Sequence, residues 1–243
     1  MAISRNRSFI RTVISPFRWK NYRSLLGIFI FIEHPLRLLN AYLFSKGNFP
    51  QNYIIKFRGS RIPLTIYNGH DAITLVEVFC RGDYQVESKD RIFVDVGANI
   101  GIASLYFLAM NDKAFVYAFE PSKLNFIKLS TNLKNYSSRV KLSNCAIDVK
   151  NGLRKFREEA TGRYGGFSDI SNRIPVDEYD VECLELNKVI GEILDKESLI
   201  DVLKIDTEGN ENELYSSINS TNRRRVRRIF VESNGFLGNI KEI

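Results

Sequence analysis

"FVDVGANIGIAS", residues 93–104, is an apolar run that ends in an acid and then turns through two glycines into a helix. Phe93 and Val94 close a buried strand, Asp95 stands at its carboxyl end, and Gly97 to Gly101 form the turn. Glycine at 97 lets the backbone approach a ligand closely, and glycine at 101 lets the helix pack on the strand. A dinucleotide fold wants Gly-x-Gly-x-x-Gly with a pyrophosphate at the helix N-terminus. Here Asn99 takes the place of the middle glycine, and Asp95, two residues before the first glycine, would repel a pyrophosphate. An acid at that point attracts a cationic ammonium group, which favours S-adenosylmethionine, whose amine and sulfonium are both cationic.

Around this turn the chain alternates strand and helix. Apolar runs at 92–96, 114–120, 139–145, 200–206 and 228–233 are short, β-branched or aromatic, and bounded by turn or charged residues. Helical stretches lie between them at about 100–110, 122–135, 186–196 and 210–218. Five buried strands with crossover helices imply a Rossmann-like α/β fold, a mainly parallel sheet with helices on both faces. Ligands in such sheets sit at the carboxyl ends of the strands near the topological switch point. Upstream, "YIIKFRGSRIPLTIY" (53–67) reads as a hairpin with a Gly-Ser turn, and "DAITLVEVFCRGDY" (71–84) as a short helix.

The second strand, "VYAFEPS", ends in Glu120, where a carboxylate can accept two hydrogen bonds from vicinal ribose hydroxyls. Taken alone, Glu120 is equally well a helix-start carboxylate favoured by the dipole of the helix that follows. Together with the glycine turn, in this order, it reads as a cofactor residue. The fourth strand, "DVLKIDTEGNENEL" (201–214), sets Lys204, Asp206 and Glu208 on alternate positions, so the three polar groups emerge together. Lys204 inside an apolar strand needs a partner, because an unpaired buried ammonium is costly.

The combination "FVDVGANIGIASLYF", "VYAFEPSKLNFIKLSTNL", "VKLSNCAI" and "DVLKIDTEGNENEL" resembles the FkbM-type methyltransferases, S-adenosylmethionine-dependent O-methyltransferases of the Rossmann-like class, over residues 53–234. The resemblance implies that Asp95, Gly97, Asn99 and Gly101 hold the methionine end, that Glu120 holds the ribose, and that Asn144 and Ala146 meet the adenine edge. Asp206 and Glu208 would face the methyl-transfer site as catalytic carboxylates, with no metal assigned. The acceptor it implies is a hydroxyl-bearing small molecule, a sugar of a glycan, or a related natural product. Methyltransferases of this class complete the sheet with an antiparallel hairpin. The chain stops at Ile243, soon after "RIFVESN", so a shortened sheet edge is expected.

Charge divides the chain unevenly. Residues 1–50 hold eight basic residues against Glu33 alone, whereas the remaining 193 hold 27 basic and 27 acidic, which removes electrostatic support for a nucleic-acid groove. The expected division is a basic, apolar, helical arm over 1–50 and a methyltransferase domain over 51–243. "LLGIFIFI" (25–32) is too short to span a bilayer, where about 20 residues are needed, and no signal-peptide cleavage site follows it. The arm reads first as a helix capping the domain or a partner subunit. The alternative is peripheral contact of residues 1–45 with an anionic membrane. Cys80, Cys145 and Cys183 lie far apart, suggesting neither a disulfide framework nor a zinc site, and a cytoplasmic, reducing compartment is the simplest reading. "RRRVRR" (223–228) reads as a solvated helix end.

Residues 150–180 lack sustained periodicity and read as a loop over the sheet edge, where Tyr164 and Phe167 could stack on a sugar, or as a polar loop with a small hairpin at "LRKF". His70 reads as a surface histidine before it reads as a base. Three function classes stay open: the O-methyltransferase, a degenerate S-adenosylmethionine-binding partner module, and a nicotinamide oxidoreductase. Asp95 and the absent middle glycine disfavour the last.

Overall fold

The computed structural model describes residues 19–158, 165–167, 177–207, 209–233 and 236–242. By its contacts the chain forms two units, Met1–Asp83 and Tyr84–Ile243. The boundary thus falls beyond the hairpin rather than at residue 50, because the hairpin shares a core with the helices around it.

In the first unit, α1 (Trp19–Phe31) is followed by α2 (Pro35–Phe44), then by β1 (Gln51–Phe57) and β2 (Ser60–Ile66), which pair antiparallel. Ile28, Ile32, Leu38, Ile55, Ile62 and Ile66 fill its core. The hairpin turns through Arg58 and Gly59, both at positive φ, one residue earlier than the expected Gly-Ser turn. Next, α3 (Gly69–Leu75) starts at Asn68, whose side chain accepts from the backbone N–H of His70 and Asp71, and runs on into a π-helical turn over Val76–Arg81. His70 is therefore a first-turn residue of a capped helix.

The second unit is built on a six-stranded sheet in the order β12-β11-β10-β3-β4-β5. Its strands are β3 (Ile92–Val96), β4 (Phe115–Phe119), β5 (Val140–Ser143), β10 (Ile200–Ile205), β11 (Val226–Ser233) and β12 (Phe236–Glu242). The first five are parallel, as the short buried runs imply. β3 leads to β4 and β5 on one side, while β10 and β11 lie on the other, so the switch point falls between the tips of β3 and β10.

Helices α4 (Ile102–Met110), α5 (Lys123–Leu133), α6 (Leu186–Glu197), α7 (Glu211–Ser217) and the single turn α8 (Ser220–Arg223) connect the strands. In α6 the apolar residues Leu186, Val189, Ile190, Ile193 and Leu194 recur at helical spacing and are buried. Each contributes about 1.5–3 kcal/mol of apolar burial, so a charge at Ile190 would break the helix from the sheet. Gly101, at φ 89°, leaves room for α5 beside the start of α4: a Cβ there would lie 2.7 Å from Leu129 Cδ1.

Two expectations are corrected by the fold. The sheet edge beyond β11 is not bare, because β12 pairs antiparallel with it along its length, with a bulge at Ile229/Phe230. "FLGNIKE" carries a glycine and an asparagine, which weaken its strand signal, and its pairing depends on the edge offered by β11. Residues 150–180 also contain sheet. β6 (Ala146–Asp148), β7 (Gly152–Glu158), β8 (Gly165–Phe167) and β9 (Asp177–Glu185) form a second sheet in the order β6-β9-β7-β8. Its small core is Ala146, Phe156, Phe167, Val181 and Cys183.

The arginine run is likewise structural. Arg228 is buried and bonds to Asp90 and, at 3.0 Å, to the Gln85 carbonyl, while Arg225 donates to the Leu194 and Ser198 carbonyls at the end of α6.

Candidate active site

At the switch point the register sets Lys204 of β10 directly beside Asp95 of β3. The Lys204 Nζ lies 3.0 Å from Asp95 Oδ1 and 3.1 Å from Asp206 Oδ2, and donates to the Gly97 carbonyl at 2.8 Å. Burial works against the ammonium, yet Asp206 and Asp95 outweigh it and hold its pKa well above the usual lysine value. Asp95 is 0% exposed, and its other oxygen accepts from Ser104 Oγ at 2.6 Å. It therefore braces the strand tips from within and does not line the pocket above them. Its charge is met inside the protein by Lys204 and Ser104.

The pocket lies between the tips of β3, β4 and β10 and the second sheet, and its walls include Gly97, Asn99, Glu120, Ala146 and Asp206. Gly97 is required there by packing: at φ 78°, a Cβ would fall 1.7 Å from the Asp206 carbonyl oxygen. Asn99, at φ 50°, turns its backbone N–H onto Glu120 Oε2 at 2.7 Å. The N–H of Ser122 bonds Glu120 Oε1 at 2.9 Å. Among the described residues no ion pair is formed by Glu120. Burial pushes its carboxyl up to about 7, against the lowering effect of those two N–H groups.

The remaining candidates separate. Asn144 donates to the Glu120 and Pro121 carbonyls at 2.8 and 3.2 Å, shaping the turn after β4 without lining the pocket. The Asp206 side chain is 28% exposed and faces the pocket. Glu208 and Tyr164 lie outside the described residues. Phe167 lines the pocket together with Phe156, edge-on at 6.5 Å, and the Arg154 guanidinium caps Phe167 at 3.7 Å. It is a wall of the pocket inside a sheet, not a residue of an open loop.

Several lining residues escape motif reading: Phe119, Ser122, Asn125, Phe156 and Thr207. Ser122 caps α5 by accepting from Asn125 N–H, and it also donates to Glu158, which in turn accepts from Tyr179 at 2.8 Å. This chain of bonds ties the second sheet to the turn that carries Glu120. The alternation in "DEYDVECLE" was the available signal for that sheet, though nothing in it indicates which wall it builds.

The Methyltransferase FkbM domain model matches residues 95–243, which includes every strand of the main sheet but β3's first residues. The chain belongs to the FkbM methyltransferase family. It is 27% identical to methyltransferase sdnD of Sordaria araneosa over 65% of this chain and 72% of that protein. To the 31-O-demethyl-FK506 methyltransferase FkbM of Streptomyces tacrolimicus it is 24% identical, over 68% of this chain and 73% of that one. The crystal structure of methyltransferase FkbM from Methylobacillus flagellatus aligns with a TM-score of 0.42 at 15% identity, covering 69% of this chain and 44% of that one.

Membership in the FkbM family implies S-adenosylmethionine as methyl donor, and the pocket fits it. Glu120 has one N–H on each oxygen, which leaves lone pairs for two ribose hydroxyls. Phe119, Pro121, Ile147, Phe156 and Phe167 offer apolar surface suited to an adenine. Asp206 lines the opposite, β10 side of the pocket.

Proposed function

We propose that the protein transfers a methyl group from S-adenosylmethionine to a hydroxyl of a sugar, a glycan or a related natural product. The observation that carries this reading is the pairing of two unlike carboxylates in one pocket. Glu120 is buried and tied to backbone N–H groups, whereas Asp206 is partly exposed and held by Lys204. When bound, S-adenosylmethionine supplies a methyl already activated by its sulfonium, so the protein's task is alignment and proton removal. Alignment of this kind is worth roughly 7–11 kcal/mol in favourable cases.

Glu120 receives the ribose hydroxyls, Gly97 and Asn99 shape the backbone beside it, and Ala146 with the two phenylalanines packs the base. Asp206, with Glu208, takes the proton of the acceptor hydroxyl. Lys204 holds the Asp206 carboxylate in place through their 3.1 Å ion pair. Oxygen as the acceptor atom has further support in the relative named for methylating 31-O-demethyl-FK506. With an antiparallel strand on the sheet edge, the degenerate-module reading loses the feature that motivated it.

Calorimetric titration with S-adenosylmethionine and, separately, with NAD tests the cofactor. Binding of the first alone, lost in Glu120→Ala, is the expected result. Methyl uptake onto hydroxyl compounds then tests the reaction. Replacing both Asp206 and Glu208 by alanine is expected to lower turnover by about 10²–10⁴-fold while cofactor binding persists. Unchanged turnover would remove these carboxylates from the proton transfer.

A further inference from the structure

Helix α1 is apolar on two sides. Ser24 and Ile28 are buried in the first unit, as is Ile32 just past the helix, while the other side carries Leu26, Phe29 and Ile30 at 62%, 53% and 54% exposure, with Tyr22 and Leu25 beside them. Positions 22, 26, 29 and 30 fall on one stripe of a helix. At 13 residues the helix is about 20 Å long, and no helix among the described residues is long and apolar enough to cross a membrane. The exposed apolar stripe suits a helix lying in the plane of an interface.

Charge selects the occupant of that stripe. Residues 1–70 contain eleven lysines and arginines and one acid, Glu33, and Glu33 is already bonded to Arg61 at 2.8 Å. Arg23, Arg37, Lys46, Lys56 and Arg58 are exposed around the helices and hairpin. A second copy of this chain would bring the same positive field, and a nucleic acid would leave the aliphatic stripe in water. A surface with negative headgroups over an apolar interior satisfies both features. We propose that the exposed stripe of α1 docks the protein on an anionic lipid bilayer, in a way independent of the methyl-transfer reading.

Sedimentation of the full chain with vesicles of phosphatidylglycerol and phosphatidylcholine, against vesicles of phosphatidylcholine alone, is the test. Trp19, the only tryptophan and the first residue of α1, supplies a second readout through its emission. Expected are binding to the anionic vesicles only, a blue shift of Trp19 emission, and roughly tenfold or greater weakening at high salt. The double variant Leu26→Glu/Phe29→Glu, with an unchanged melting temperature, should no longer sediment. For a variant that melts early, Lys56→Glu/Arg58→Glu on the hairpin replaces it, with weakened binding expected. The proposal is overturned if the wild-type chain stays in solution with anionic vesicles, or if it binds both vesicle types equally. A lipid-free dimer dissociated by Leu26→Glu/Phe29→Glu, without vesicle binding, would identify a second copy as the occupant instead.

Discussion

The tips of β3 and β4 each end in an acid, and the two acids have opposite fates. Asp95 is enclosed between Lys204 and Ser104, so its charge is compensated inside the protein. Glu120 is buried almost as deeply but has only backbone N–H partners, and burial lifts its carboxyl to about 7. A compensated buried charge serves the fold, while one left short of partners waits for a ligand and costs stability until it arrives. In this unit the acid that looks most like a motif residue is the one with its charge paired.

The largest expected effect comes from removing the compensation at β3. Lys204→Met leaves Asp95 buried without its cation and should cost about 3–5 kcal/mol of stability, read by urea unfolding. A cost no larger than that of an ordinary surface change would show that Asp95 is solvated after all.

At β4 the sign should reverse. Glu120→Gln is expected to lower S-adenosylmethionine affinity on the order of 100-fold, as two charge-assisted hydrogen bonds weaken. The same change should raise ligand-free stability above pH 7. The folded pKa of about 7 lies above the usual 4.5, so the cost of the carboxylate is absent below the lower value and complete above the higher one. The gain for the variant is on the order of 3 kcal/mol at pH 8 and vanishes near pH 4. For the wild type, cofactor affinity should fall as pH drops below about 7, by up to about tenfold per unit. Affinity that is flat from pH 8 to pH 5 would place the ribose contact elsewhere.

The smallest effect concerns the second sheet. Phe167→Leu keeps an apolar wall but loses the aromatic face, and should weaken cofactor binding by about 1 kcal/mol while stability changes by less than about 1.5 kcal/mol. No change in affinity would limit that sheet to a supporting role.

Much of the main sheet was legible because its strands are buried on both faces and read as continuous apolar runs between charged residues. The helices between them show the 3.6 period, as α6 does from Leu186 to Leu194. The glycine turn and Glu120 could be singled out because a positive-φ turn and a strand-tip carboxylate each demand a particular residue type. Elements whose formation depends on a neighbour were not legible. β12 exists by pairing with β11, and β7 to β9 by pairing with one another; their half-polar sequences carry little signal alone. Phe167 could be named from the sequence, but its pairing with Phe156 in one pocket wall was hidden for the same reason.

By itself, the sequence determined the order of the five parallel strands and of the helices between them, the place of the glycine turn at the end of β3, and the excess of positive charge in the first 70 residues. These are local matters of periodicity, backbone permissiveness and composition. Tertiary structure decided which acid faces the pocket. The parallel register of β10 on β3 sets Lys204 beside Asp95 and takes that carboxylate out of reach, while the turn at Asn99 aims an N–H at Glu120 and leaves it facing the cleft. Both outcomes depend on which residues become neighbours across strands, and no spacing along the chain encodes that.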